Sequence, residues 1–204
     1  HHHSRHSFPT RRSSDLGGIV MSKYHTTEIT CPVCNKPYKI DIWDSINAQL
    51  NPEKKRDILK NDIYKTICPS CKAETHCMYD FLYHDMEKKY MLSLYDDYPM
   101  GLINPLIESG YSLRKVDDIN QLIEKIRIFD AGLNDIVLEV MKKILSKIMN
   151  ISGNMLFCQV EKDDFIFWVL KEEKAISVPS AIYDLALKDC TKEDLKEYPR
   201  FIDR

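Results

Sequence analysis

Apolar and polar residues alternate in the first part of the chain, and this alternation predicts β-strands. Residues 22–30 and 38–43 show a period of two, which is typical of strands that bury one face. We predict further strands at residues 63–67, 73–79 and 90–95. Between them, Asn51-Pro52-Glu53 combines a capping residue, a proline and an acid, so it predicts the start of a short charged helix that ends near residue 60.

Helical spacing dominates the second half of the chain. Apolar residues recur every three to four positions from residue 119, after a cap at Asp117-Asp118, and again over residues 134–149, which predicts two amphipathic helices. The other predicted elements of this half are a helix at residues 104–110, a strand at 111–116, a hairpin of strands 155–160 and 165–170, a third strand at 175–178, a helix at 180–188 and a last helix capped by Thr191. Phe165, Phe167 and Trp168 are expected to lie in the core.

The first twenty residues follow neither pattern. They contain four histidines and three arginines, beginning with His1-His2-His3, and are typical of a tag followed by adapter sequence. We expect this segment, residues 1–20, to be non-native and disordered, with Met21 as the native start. Without it, 26 basic side chains stand against 30 acidic ones, a net charge of −4. A mildly acidic chain disfavours generic nucleic-acid binding, which depends on neutralising phosphates.

The clearest chemical pattern is a duplicated cysteine motif. The sequence C-P-x-C occurs at Cys31–Cys34 and again at Cys68–Cys71, with 33 residues between the copies. A tetrahedral zinc site commonly takes four thiolates from two such short turns. We therefore predict Cys31, Cys34, Cys68 and Cys71 as ligands of a structural Zn²⁺.

The local geometry of each motif supports this interpretation. Pro32 and Pro69 fix the turn, and Asn35 is suited to a left-handed conformation after the second cysteine, so that backbone N–H groups point at the first sulfur. Two other interpretations stay open. The pairs are also compatible with a redox dithiol, and the same ligands accept iron as well as zinc.

These elements predict an α+β protein. We expect a small zinc-ribbon-like antiparallel β module at residues 22–95, followed by a mixed helical and β-hairpin region at residues 97–204, with a linker at residues 96–99 between them. The other cysteines, Cys77, Cys158 and Cys190, are expected to be small buried apolar residues.

The first half of the chain resembles the CpXC domain of bacteria and archaea. The resemblance rests on the two cysteine motifs, the charged helix between them, the run Leu82-Tyr83-His84-Asp85 before a strand, and the segments 110–114 and 125–133; it covers residues 26–150. What it implies is a zinc-binding module, and no established activity comes with it.

We predict a binding or adaptor module whose partner is a protein. One alternative is a metal-dependent enzyme that uses His84 and Asp85, with His76, beside the zinc. Adjacent residues of a strand point to opposite faces, so the two side chains are poorly placed to act together. This favours instead a turn that is closed by the Asp85 side chain. Glycine-rich phosphate loops and the common hydrolase motifs are absent from the sequence, and we lean against an enzyme.

The second alternative is a nucleic-acid-binding zinc ribbon. Seven aromatic residues of the first half, interspersed with lysines, could stack on bases: Tyr38, Trp43, Tyr64, Tyr79, Tyr83, Tyr90 and Tyr95. The net negative charge of the chain favours instead a role for these aromatic side chains in a thin hydrophobic core. With no apolar run of membrane-spanning length and no signal-peptide pattern after Met21, we expect a cytoplasmic protein without a membrane partner.

Overall fold

The computed structural model describes residues 21–95, 98, 100–190 and 200–201. The expectations for residues 1–20 and for Thr191, and most of the linker at 96–99, lie outside the described residues. The chain divides into two compact units, with the division between Asp117 and Asp118 and with residues 200–201 belonging to the first unit.

Both units combine helices and strands, which confirms the α+β class. The first unit contains β1 (Lys23–Thr30), β2 (Pro37–Asn47), α1 (Pro52–Leu59), β3 (Lys65–Ile67), β4 (Glu74–His76), β5 (Phe81–Asp85), β6 (Tyr90–Leu94), a 3₁₀-helix (Met100–Leu102), α2 (Ile103–Glu108) and β7 (Ser112–Val116). The second unit contains α3 (Ile119–Asp130), α4 (Asp135–Ile148), β8 (Met155–Glu161), β9 (Asp164–Val169), β10 (Lys174–Pro179) and α5 (Ala181–Asp189). A short strand, β11 (Arg200–Phe201), adds to the first unit.

A mixed six-stranded sheet organises the first unit, in the order β1-β2-β5-β6-β7-β11. The β1–β2 and β5–β6 pairs are antiparallel, whereas β2–β5, β6–β7 and β7–β11 are parallel. Parallel neighbours need a crossover connection. The crossover from β2 to β5 carries α1 and the β3–β4 hairpin, and that from β6 to β7 carries α2.

The strand β5 has no counterpart among the predicted strands. All of its residues are buried, as are all those of β6 beside it. A central strand that is covered on both faces loses the alternation on which a prediction depends. Next to it, a small core forms where α2 covers the sheet; its buried members are Leu82, Met91, Tyr98, Leu106 and Leu113.

The second unit is an antiparallel three-stranded sheet, β10-β9-β8, covered by helices. Its core contains Val137 and Met141 of α4 together with Phe157 of β8 and Phe165 and Phe167 of β9. The core prediction is confirmed for both phenylalanines of β9.

For Trp168 the core prediction is wrong. Phe165, Phe167 and Val169 are buried in β9, so the intervening Trp168 faces the other side of the strand and is 40% exposed. The predicted cap of α3 is confirmed, because the Asp118 carboxylate accepts a hydrogen bond from the Gln121 backbone N–H at 2.9 Å. Among the described residues, no helix is both long and apolar enough to cross a membrane.

Candidate metal centre

Four cysteine sulfur atoms lie close together in the first unit. The Sγ atoms of Cys31 and Cys71 are 3.6 Å apart, those of Cys34 and Cys68 are 3.7 Å apart, and all four lie within 4.8 Å of one another. Tetrahedral Zn–S bonds of about 2.3 Å separate the ligand sulfurs by about 3.8 Å. The spacing therefore fits one metal ion at the centre. Among the described residues, no other group of three or more Cys, His, Asp or Glu side chains meets so closely.

The tip of the β1–β2 hairpin carries the first cysteine pair. The last paired residues of the hairpin are Thr30 and Pro37. Beyond them the Cys31 N–H donates to the Lys36 carbonyl at 3.0 Å, and the Asn35 N–H donates to the Cys31 carbonyl at 2.9 Å. Asn35 has φ of 56°, which is the left-handed conformation that the sequence predicts.

The β3–β4 hairpin repeats this loop around the second pair. The Cys68 N–H donates to the Ala73 carbonyl and the Lys72 N–H to the Cys68 carbonyl, both at 2.9 Å. Lys72, the equivalent of Asn35, has φ of 63°. The duplicated motif thus folds twice into the same turn, and the two turns face each other with their sulfurs inward.

Backbone donors favour the thiolate form of the first cysteine in each motif. Hydrogen bonds from the N–H groups of Cys34 and Val33 lower the pKa of Cys31 despite its burial. The N–H groups of Cys71 and Ser70 act in the same way on Cys68 and lower its pKa to about 6. Since metals bind thiolates, both buried sulfurs are prepared as ligands.

The exposed Cys71 differs from these two cysteines. A hydrogen bond from the Ala73 N–H lowers the pKa of Cys71, but burial and the neighbouring cysteine side chains outweigh it and raise the pKa to about 12. The proton of Cys71 therefore resists removal until a cation compensates the charge that collects on the sulfurs.

A hydroxyl cluster joins the two hairpins beside the sulfurs. The Tyr38 hydroxyl lies 2.9 Å from Oγ1 of Thr66 and 3.1 Å from Oγ1 of Thr75, and the two threonine oxygens are 2.8 Å apart. Buried Tyr38 also packs with Cys31 and Cys68. Sequence reasoning missed this cluster; the available signal was Tyr38 on the apolar face of β2, where a buried hydroxyl needs a partner.

The comparison with protein families agrees with this geometry. Residues 29–142 match the family model described as CpXC protein. The chain belongs to the CpXC family. The match begins in β1, includes all four clustered cysteines and ends within α4. Neither the curated proteins nor the solved structures contain a match to this chain.

The two CpXC turns allow a direct test of their backbone strain. Left-handed φ is unfavourable for a lysine, so Lys72→Gly is expected to stabilise the metal-loaded protein by about 0.5–1 kcal/mol in urea unfolding. Asn35→Gly should give less, because asparagine tolerates this conformation better. Lys36→Gly is the matched control and should not stabilise, since φ of Lys36 is not positive. A Lys72→Gly variant less stable than its parent would contradict the strain argument.

The residues of the enzyme alternative, His84 and Asp85, both lie in β5 and are both buried. Nε2 of His84 lies 3.1 Å from the Tyr111 hydroxyl. The Asp85 carboxylate accepts hydrogen bonds from Gln49 Nε2 at 2.7 Å and from the Lys88 N–H at 3.0 Å. Nζ of Lys55 also lies 3.7 Å from this carboxylate. The turn role is confirmed for Asp85, whose carboxylate closes the turn that follows β5. His84 is not part of that turn.

Neither His84 nor Asp85 belongs to the group of sulfur ligands. The third candidate, His76, is exposed on β4, where it pairs with Lys65 of β3. The three remaining cysteines are half-buried: Cys77, Cys158 and Cys190. Burial raises the pKa of the Cys77 thiol, which keeps it protonated.

Proposed function

We propose that this CpXC protein is a zinc-stabilised binding or adaptor module, with Cys31, Cys34, Cys68 and Cys71 holding a structural Zn²⁺. The observation that carries the proposal is the convergence of four sulfurs from two identical turns. Bound zinc would supply folding free energy by joining two hairpins that share a core of only three buried residues.

Zinc is the metal that this donor set favours. Four thiolates complete a tetrahedral shell and leave no open position for a substrate or water, which is the difference between structural and catalytic zinc sites. Iron also accepts four thiolates, so the metal analysis must distinguish the two. Thiolate ligands need a reducing compartment, which supports a cytoplasmic location in a bacterial or archaeal cell.

The protein partner is supported by the surroundings of the site. His84 contacts Tyr111, and Asp85 accepts hydrogen bonds from Gln49 and the turn backbone, and these contacts favour a structural use of both side chains. The acidic balance of the chain opposes binding to phosphates. A module of residues 22–95 therefore acts through the surface that the metal holds in place.

Metal analysis combined with thiol counting tests this proposal. We expect one zinc per chain, no iron, and at most three of the seven cysteines reactive in the untreated protein. A strong chelator should release the zinc and expose the other four thiols. A purified protein without metal, or with all seven thiols reactive before chelation, would contradict the zinc site. If the purified protein contains one iron per chain, the same four cysteines are assigned as iron ligands instead of zinc ligands.

A further inference from the structure

A polar groove opens in the first unit beside the second cysteine motif. Its volume is about 710 Å³, within the range of ligand-binding clefts. The residues of its walls come mainly from β2, from α1 and the turn before it, and from the segment that leads through β3 to Pro69, and they include Tyr24 of β1. We call it the aromatic groove.

Two aromatic rings form one wall of the aromatic groove. The ring centroids of Tyr24 and Trp43 are 5.0 Å apart, and Tyr24 is 54% exposed. Nζ of Lys54 lies 5.5 Å from the centroid of the Trp43 ring, so this wall already accepts an ammonium group at cation–π distance. Exposed aromatic side chains in a concave surface are typical anchors for a protein partner.

Carboxylates in the walls exceed the cations available to them. Lys54 pairs with Asp57 at 3.1 Å, and Lys65 pairs with Glu74 outside the groove at 2.9 Å. Among the described residues, three wall carboxylates and one wall cation have no ion-pair partner: Asp41, Glu53, Asp62 and Lys39. Four carboxylates and three lysines thus line the groove, a net formal charge of −1, and Glu74 outside the groove already engages one of these lysines, Lys65.

Neutral donors hold two of these carboxylates in place. The Thr26 hydroxyl donates to Asp41 at 2.8 Å, and Nδ2 of Asn51 donates to Glu53 at 2.8 Å. The hydrogen bond from Asn51 lowers the pKa of Glu53. The wall carboxylates are also not gathered as metal ligands, since the cysteines form the only such group among the described residues. Separated negative charges along a groove match separated cations along an extended chain better than one small ion.

We propose that the aromatic groove binds an extended lysine- or arginine-containing segment of a partner protein. A cationic side chain lies over the ring pair, and others face Asp41, Glu53 and Asp62. A nucleic acid would instead bring its phosphates against these carboxylates. This inference rests on the proposed binding function and specifies the chemistry of the partner.

Tryptophan fluorescence provides the test, because Trp43 and Trp168 are the two tryptophans of the chain. In the full-length, zinc-loaded Trp168→Phe variant, only Trp43 reports. A short peptide of alternating arginine and glycine should change its emission saturably and should bind more weakly at high salt. The same peptide with glutamate in place of arginine, and single-stranded oligothymidine, should not bind.

Neutral variants then locate the binding site. Asp41→Asn combined with Glu53→Gln is expected to weaken binding of the arginine peptide about tenfold, from the usual strength of exposed charge pairs. The control is Glu87→Gln combined with Glu108→Gln, which removes two exposed carboxylates outside the groove and should leave the affinity unchanged. Circular dichroism of both variants verifies that each one is folded.

The outcomes separate this inference from the proposed function. Zinc is measured in the same sample, so a metal-free protein contradicts the zinc-stabilised module whatever the titration shows. A zinc-loaded protein that does not bind the arginine peptide overturns the groove inference alone. Equal weakening in the control variant would show charge attraction without a site, and binding of oligothymidine in preference to the peptide would reassign the groove to nucleic acid; either result overturns the inference.

Discussion

Replacing Cys68 with serine is expected to abolish metal binding and to unfold the first unit under conditions where the unchanged protein is folded. Cys68 is fully buried, receives two backbone hydrogen bonds and lies 3.7 Å from the Cys34 sulfur. A serine hydroxyl does not ionise at neutral pH and is a poor zinc ligand. We expect zinc affinity to fall more than about 100-fold, which lowers the unfolding free energy by about 3 kcal/mol or more at saturating zinc.

The loss should be large because the second cysteine turn lies at the tip of a short hairpin. Strands β3 and β4 have three residues each and form a sheet of their own. A two-stranded hairpin of this size is marginally stable in water. Beyond the sulfurs, the hydroxyl cluster of Tyr38, Thr66 and Thr75 ties it to β2, and hydrogen bonds of this kind contribute about 1 kcal/mol each.

Two measurements make the Cys68→Ser result specific. Cys77→Ser is the matched control, since Cys77 is half-buried and outside the sulfur group, and it should keep one zinc per chain. The two tryptophans lie in different units, so Trp43 fluorescence should report unfolding that Trp168 does not. A Cys68→Ser protein that retains stoichiometric zinc and an unchanged melting temperature would exclude Cys68 as a ligand.

Features that depend on neighbouring residues could be predicted from the sequence. The cysteine motifs, the left-handed Asn35 and the Asp118 cap all follow from a few consecutive side chains. Helices α3 and α4 follow from spacing within one segment. The four sulfurs could be proposed as one site because only their number and spacing, and not the fold between them, entered the argument.

Features that depend on distant segments could not be predicted. The parallel pairing of β6 with β7 depends on the crossover through α2, and β5 gives no alternation because it is buried on both faces. Lys125 is a similar case. It lies in an amphipathic helix, and its burial depends on carboxylates that another helix supplies.

Replacing Lys125 with methionine is expected to destabilise the second unit by about 3–5 kcal/mol. Lys125 of α3 is 2% exposed, and its ammonium lies 3.1 Å from the carboxylate of Asp135, which is 1% exposed, and 3.4 Å from that of Glu139. Lys142 continues the network to Glu139 at 3.0 Å and to Glu124 at 2.6 Å. Methionine preserves the apolar stem, so the loss measures the buried carboxylates left without their cation.

Urea unfolding followed by Trp168 fluorescence measures this loss, with two comparisons. Lys143→Met removes an exposed lysine of the same helix, α4, that carries the carboxylates, and should change stability by about 0.5 kcal/mol or less. Adding Asp135→Leu to Lys125→Met should restore much of the stability, because the pair is then replaced by apolar side chains. If the unfolding free energy of the Lys125→Met variant lies within about 1 kcal/mol of that of the unchanged protein, the network is dispensable for stability, because breaking a buried ion pair should cost more than this.

The pH dependence of the Lys125→Met variant follows from the same network. Burial raises the pKa of Glu139, but the ammonium groups of Lys142 and Lys125 outweigh it and hold the pKa below its ordinary value of 4.5. Because the folded-state pKa is depressed, Glu139 stabilises the fold above pH 4.5, and this contribution is lost as pH falls through the lowered value. Burial lowers the pKa of Lys142, yet Glu124 and Glu139 raise it above 10.5, so its contribution is present below pH 10.5 and lost only at higher pH.

Without the Lys125 charge, the pKa of Glu139 moves back up toward its ordinary value. The Lys125→Met variant should therefore lose less additional stability than the parent when urea unfolding at neutral pH is compared with unfolding below pH 4.5. An unchanged acid dependence would mean that Lys142 alone sets the pKa of Glu139.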